Sequence, residues 1–573
     1  MLARSVQIDP KNALARVTLA TAFSSLGYES RAREEAGQAA ALAEKLSPAQ
    51  RLLIEGRSGE ISKDWDKAIT AYSSLFRAHP DAVDYGVKLA EVQTYGGRAR
   101  EALVTVEELR RLPAAISEDP RIDLANARAF QELGDFKKQQ AFASRAAEKG
   151  RASGLRLVVA RARLLESTAL QNLGDSKAAA AAIEESRRLY EASGDRENIA
   201  RVLEQMVGSI YAGDLEGGRR LLDRAFAIYR DLGDRSSMAR VQSNIGILLV
   251  NQGRMAEAQR SFDESLATFR QIGAKYEAAA ALNQMGVLLL NRGDLPAAQK
   301  RYQEALSLFG ELGEKSGTAT ALSNLAEVLA IRGRFDEARK MNEEALADSR
   351  EIGDRAGVAY DLYLLGELLV AHGDLFAARE KYQQALSIQN SLSDKIGAAD
   401  TRTSLARLSL AEGKAEDAEK AARQSEEILR NEGALDRAIL AQAVVVGSLL
   451  NRGEWTDAKA VADQTQVAAG KSDDRRVRLT WSTVDARVRA SSGKPEDVAS
   501  ALQILEGVTS EATRNGFLAH AFEARLAAGE IDLVSGKATG RSKLEAVAKE
   551  ARAAGFGLIA RRAESAASGG QRG

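Results

Sequence analysis

The sequence predicts an all-α chain built as an array of about 14 antiparallel helix pairs, and three observations predict it. Gly213, Gly253, Gly293, Gly333, Gly373, Gly413, Gly453 and Gly493 follow one another at intervals of 40 residues. Midway between most of them stands a second breaker: Gly233, Gly273, Gly313, Gly353, Ser393, Gly433 and Asp473. Repetition at a fixed period of this length marks a stacked array of supersecondary units. Between the breakers the apolar residues fall at three- and four-residue steps, as in Leu282, Met285, Leu289 and then Ala298, Tyr302, Ala305, which is the periodicity of a helix with one buried face. Ala, Leu, Glu, Gln, Arg and Lys dominate these stretches, all good helix formers. No segment alternates like a strand.

Each element has its own start and stop. Glycine closing a helix takes the left-handed conformation without a Cβ clash. Asp214, Asp294 and Asp374 follow the glycine, where a carboxylate caps the next helix and meets its positive end. Pro296 and Pro495 sit in a first turn, where a missing N–H costs nothing. Leu215, Met255, Leu295, Phe335, Leu375 and Trp455 all lie two residues after the glycine and should plug the turn into the core. The first part of the chain runs at a shorter period, with turns at Gly27, Lys63, Gly97 and Gly134, spaced 36, 34 and 37 residues. Gly174 opens the 40-residue register, and beyond Gly493 the spacing slips to 43, ending at Gly536. This divides the chain into residues 1–153 with shorter pairs, 154–512 with the 40-residue array, and 513–573 with capping helices and a flexible tail. Leu2 to Pro10 reads as the end of a second helix whose first is missing. That suggests either a half-repeat or the continuation of an upstream domain.

Ile245-Gly246, Met285-Gly286, Leu325-Ala326, Leu365-Gly366 and Leu405-Ala406 place a large and a small residue side by side in the first helix of successive pairs. Ala298, Tyr302, Ala305 and Ala378, Tyr382, Ala385 place a ring between two alanines in the second. Small residues let two backbones approach, and the ring fills the space beside them. With Trp65, Ala68, Tyr72, Leu75 and Pro80 in the shorter-period part, these residues resemble the tetratricopeptide repeat, and the 40-residue period resembles its longer subtype. Asn342 and Ala422 stand where the aromatic belongs. The resemblance implies a right-handed superhelical solenoid in which the first helix of each pair, helix A, lines a concave wall. The segment Leu46 to Lys67 is similar to repeat regions appended to bacterial signalling kinases or winged-helix regulators.

Composition narrows the chemistry. Lys plus Arg and Asp plus Glu number 80 each in 573 residues, and a general polyanion binder would carry a basic excess. There are no cysteines and only three histidines, which excludes disulfides, thiolate sites and cysteine nucleophiles. His79-Pro80-Asp81 falls where a helix-ending proline is expected. Gly536 to Ser542 lacks the spacing and strand of a phosphate loop. His372 and His520 have no visible partner and read as structural. The N-terminus has no apolar signal region, and the longest apolar stretch, Ala438 to Leu450, is shorter than a membrane span. The chain reads as soluble and cytoplasmic, with no cofactor, no metal and no catalytic group.

The concave wall carries the functional expectation. Counted from the small helix-A residue, its inner positions hold Ser243, Asn244, Asn283, Gln284, Ser323, Asn324 and Glu327, then Tyr363 and Glu367, with Asn251 and Asn291 at the helix ends. Amides donate and accept at once and suit capture of an extended backbone, and these residues are expected to face solvent when the groove is empty. A Lys/Arg clamp for terminal carboxylates is not seen at these positions. The expected function is a non-catalytic scaffold that binds a protein or peptide segment, with neither nucleic acid nor membrane as partner. The alternative is a regulatory or sensor arm of a larger bacterial signalling protein.

Overall fold

A computed structural model describes residues 2–26, 28–209, 214–252 and 254–569. Among them it holds 31 α-helices, one short 3-10 turn and no strand. Taken two by two from Ala13–Ser25 to Thr539–Ala553, with the short Ala114–Ser117 helix set aside, the helices make 14 pairs, followed by the single helix Gly557–Ala567. The chain is an all-α repeat array, as the glycine spacing predicts. Helices Trp65–Ala78 and Val83–Tyr95 have 14 and 13 residues, whereas Lys275–Arg292 and Leu295–Leu312 have 18 each. Longer helices are what turns the short period into the long one.

The start and stop signals act as the residues dictate. Asp214, Asp294 and Asp374 accept from the backbone N–H three residues on, at 2.8, 3.1 and 3.0 Å. Pro296 and Pro495 stand in first turns. Leu295 is buried, Phe335 packs edge-on against Phe556, and the Trp455 indole donates to the Val488 carbonyl at 3.1 Å. The turn glycines have positive φ, as do Lys63 and Ser393; the turns placed at Gly27, Gly213 and Gly253, and the last four residues of the tail, lie outside the described residues. Asp473 departs from the pattern: Ser472 ends the preceding helix in an extended conformation and Asp474 caps the next, so this turn needs no left-handed residue.

The array divides into two compact units, Met1–Leu248 with Arg260–Ala278, and Leu249–Gln259 with Ala279–Gly573. In the first, Tyr72, Leu75, Leu109 and Ile122 form one cluster and Ala127, Ala143, Val159 and Leu165 the next, each bridging neighbouring pairs. In the second, distant pairs also meet. The Arg475 guanidinium donates to the Gly293 carbonyl at 3.3 Å, 182 residues away, and Arg561 donates to the Gly373 carbonyl, 188 residues away. A single core cluster joins Leu290, Leu295, Leu325 and Leu329 to Leu505, Val508, Phe517 and Ala521. Turns between helices of one stretch therefore pack on helices four to five repeats later. A solenoid in which each pair touches mainly its neighbours is the expectation from period alone. Within this unit it does not hold, because the winding is tight enough to bring successive superhelical turns into apolar contact.

Gly293 combines both features. Its φ is +79°, and a Cβ there would lie 2.6 Å from the Arg475 side chain. Gly453 has the same φ with open space around it. Gly293→Val and Gly453→Val should each destabilise their helix pair by roughly 1–3 kcal/mol through backbone strain. Only the first should also loosen the helix Arg475–Ala490, read as faster hydrogen exchange there.

Candidate functional site

The site is built from a contact between a small residue and a ring. A Cβ on Gly246 would lie 2.7 Å from the Phe262 ring, one on Gly56 2.8 Å from Tyr72, and one on Gly366 2.5 Å from Tyr382. Three helix-B tyrosines, Tyr72 and Tyr382 at this contact and Tyr229 two turns beyond it, reach a glutamate on helix A. Tyr72 donates to Glu60 at 2.5 Å, Tyr229 to Glu204 at 2.9 Å and Tyr382 to Glu367 at 2.7 Å. Burial and the neighbouring carboxylate raise all three phenols well above their ordinary range. Tyr302 is fully buried beside Glu327 and Arg476, and its hydroxyl has no hydrogen-bond partner among the described residues.

The residues expected to form the ladder fall into separate groups. In the first unit Asn244 donates to Glu204 at 3.3 Å, and Ser243 lies half-buried beside it on the same helix. In the second unit Asn324 donates to Asn283 at 3.0 Å across two helices, and the two are only 9% and 7% exposed. Gln284 is half-buried. Asn291 and Glu327 are both held by Arg476, at 3.2 and 2.7 Å, and Glu327 also accepts from Tyr360 at 3.1 Å. Tyr363 packs against Tyr382 with ring centroids 5.9 Å apart. Glu367 accepts from Arg407 at 2.7 Å and from Ser404 at 2.8 Å. Ser323 points inward to Asp361 and is buried. The Asn251 side chain lies outside the described residues. Asn283, Asn324 and Ser323 thus do not face solvent: the amides satisfy one another between neighbouring helices, and removing them costs fold as well as any binding.

Sequence reasoning passed over the cations. Arg407 stands 40 residues after Glu367 in the register that already ran from Glu327 to Glu367, so one more period would have found it. Arg487 and Glu530 occupy the same place in later helices and pair at 2.6 Å. Arg437 pairs with Asp400, and Arg562 with Glu523 at 2.6 Å. Burial opposes the charge on Glu367, yet Arg407 and the hydroxyls of Tyr382 and Ser404 outweigh it and hold the carboxyl below its usual range. Burial pushes Asp400 up to about 6 despite Arg437. His520 lies in the same electrostatic surroundings; burial, then Arg476, push it down to about 4, so the imidazole is neutral. Among the described residues no group of three or more His, Asp or Glu side chains could hold a metal ion, and no helix is long and apolar enough to cross a membrane.

Residues 247–524, a little under half of the chain, match the family model of the MalT-like TPR region. Over those residues the chain is a helical repeat of tetratricopeptide type. No curated protein is significantly similar to it in sequence. Solved structures that resemble it include a Rap protein complexed with competence and sporulation factor, at 16% identity over 62% of this chain and 99% of that one, TM-score 0.46. Aspartyl phosphate phosphatase F from Bacillus subtilis is 12% identical over 61% and 94%, TM-score 0.42. Yeast Tom70 is 15% identical over 90% and 95%, TM-score 0.34. All are loose likenesses to a repeat that tolerates wide variation.

One repeat departs from the ring contact and shows what replaces it. Asn342 occupies the aromatic position, fully buried, and donates to Asp361 at 3.4 Å; Ser349 donates to the same carboxyl at 3.0 Å, and Ser323 completes the set. Burial, only partly offset by these hydroxyls, raises the Asp361 carboxyl to about 6. The folded state therefore holds this proton more tightly than the unfolded chain. Its contribution is complete below the ordinary carboxyl value near 4 and is lost as pH rises through about 6. Relative to Asp361→Asn, the wild type should lose about 2–3 kcal/mol between pH 4 and 7. Hydrogen-exchange protection of helices Lys315–Ile331 and Arg355–His372 in both proteins across that range checks it.

Proposed function

We propose that the helix-A face of the second unit binds an extended segment of a partner protein, and that this chain acts as a non-catalytic interaction scaffold. One observation carries the reading. Polar and charged groups recur on successive A helices in one register, Glu327, Glu367 and Arg407, and each is held in place by a cross-helix bond rather than left mobile. Groups fixed in this way present donors and acceptors without losing rotamer freedom on binding, which favours capture of a backbone. The amides of Asn283 and Asn324 serve this face mainly by setting the spacing of their helices; Gln284, Tyr363, Glu327, Glu367 and Arg407 are the groups offered to a partner. Cations and carboxylates both stand along it, which suits a segment of mixed charge.

The absence of cysteine in the chain makes the test clean. Gln284→Cys and Arg407→Cys place a photo-crosslinker on the helix-A face, and Phe376→Cys places it on an exposed helix-B position. After exposure to the cell extract and mass spectrometry, a partner segment should be joined to the first two positions and not to the third. Crosslinks confined to Phe376→Cys would overturn the reading.

A further inference from the structure

The neutral overall charge conceals an uneven distribution. In the first unit the charges beside Tyr72 and Tyr229 are balanced: Glu60 pairs with Lys88 at 2.8 Å and Glu204 with Arg240 at 2.9 Å. Between them lies Tyr190, whose side chain is 3% exposed. It occupies the same place in its repeat as Tyr229, yet the charges around it are Arg161, Arg201 and Arg128, with Asp195 the one carboxylate among its principal neighbours. Three consecutive A helices, Pro120–Glu132, Arg156–Asn172 and Arg196–Ser209, each contribute one of these arginines.

Their partners leave positive charge over. Arg161 reaches Glu91, 70 residues away, at 3.2 Å, but Glu91 also serves Lys88 at 3.4 Å. Arg201 pairs with Glu197 on its own helix at 2.9 Å, an exposed contact of small worth. Arg128 donates to the Tyr95 hydroxyl and has no carboxylate in an ion pair with it among the described residues. Burial, then the like charges of Arg161 and Arg201, lower its pKa against the pull of Glu91 and Glu132. An anion there would relieve that repulsion and could accept from several guanidinium N–H groups at once.

We propose that Arg128, Arg161 and Arg201, with the Tyr190 hydroxyl, hold an anionic side chain of a bound peptide, a carboxylate or a phosphate, so that the first unit selects an acidic segment. This rests on the reading that the helix-A face holds a polypeptide, and it adds the charge of what the first unit takes. The charge pattern favours a peptide over a nucleic acid, because Glu60, Glu91 and Glu204 interrupt the cationic row and would oppose a continuous phosphate backbone.

The test uses the full chain and fluorescence anisotropy with four labelled probes: an oligoglutamate, a phosphoserine peptide, an oligoglutamine and a single-stranded oligonucleotide. Binding of either acidic probe, weakening with salt, with oligoglutamine at least about tenfold weaker, supports the proposal; which acidic probe is tighter tells carboxylate from phosphate. Arg161→Gln, at an exposed position, and the Arg128→Gln/Arg161→Gln pair should each weaken the acidic probe, the pair by about tenfold or more. Arg128→Lys should weaken it less, and Arg188→Gln on a helix B should leave it unchanged. Circular dichroism melts confirm that Arg161→Gln is folded. Failure of both acidic probes, equal binding of oligoglutamine, no loss in the folded Arg161→Gln variant, or tighter binding of the oligonucleotide would each overturn it. If crosslinks to Gln284→Cys and Arg407→Cys are found while the acidic probes fail, the scaffold reading stands and only the acidic preference falls.

Discussion

The distance between the two helices of a pair is set by one contact, a residue with little or no side chain on helix A lying against a ring on helix B. At Gly56, Gly246 and Gly366 not even a methyl group could be added without moving the ring. Close packing of this kind admits no compromise, since interiors are as dense as organic crystals. It also does more than fill space. Tyr72 and Tyr382, each clamped beside a glycine, are directed so that their hydroxyls emerge beside helix A, where Glu60 and Glu367 accept from them, as Glu204 does from Tyr229. The polar face is thus placed by the apolar contact beneath it, and each glutamate then fixes a cation, Lys88, Arg240 or Arg407.

Where the contact is lost, the chemistry of the pair changes with it. Asn342 in place of the ring leaves buried space that Asp361, Ser323 and Ser349 fill with hydrogen bonds. The Asn342 Oδ1 has no hydrogen-bond partner among the described residues, so the network is not fully satisfied, and burial raises its carboxyl to about 6. Tyr190 stands two helical turns beyond the aromatic position, which Ile183 occupies, and has Arg161, Arg201 and Arg128 among the charges around it. One repeat therefore holds a carboxyl of raised pKa inside its pair, and another gathers arginines around a buried tyrosine.

Much of this was legible in the residues. Glycine at 40-residue intervals fixed the pairs, their caps and the position of the small residue, because each of those features depends on neighbours close in sequence. The same register located Glu327 and Glu367 on the helix-A face and, carried one period further, contains Arg407. What the register could not supply is which polar groups find one another. Asn283 and Asn324 are 41 residues apart and bond directly, so amides that read as a ladder for a partner serve first to join two helices. Nor could composition show the cationic row of the first unit, since equal totals of acid and base say nothing about where either collects. Contacts separated by 182 or 188 residues depend on the winding of the superhelix, which arises from small rotations accumulated over many pairs.

That winding ties structure and binding together in the second unit. Arg476 joins Glu327 and Asn291 across 149 and 185 residues, so one guanidinium both closes a superhelical turn and occupies the face offered to a partner. A ligand that drew Glu327 away would have to replace a charge-assisted bond worth about 1.5–3 kcal/mol and would leave Arg476 partly buried with Asp474 and the Asn291 amide. A backbone carbonyl that accepts from a remaining N–H of the same guanidinium meets no such cost, because the fork presents more donors than its present partners use. The energetics therefore favour segments that read the fixed pairs from outside over those that break them. They also make the closure of the turn and the strength of binding two measures of the same bonds.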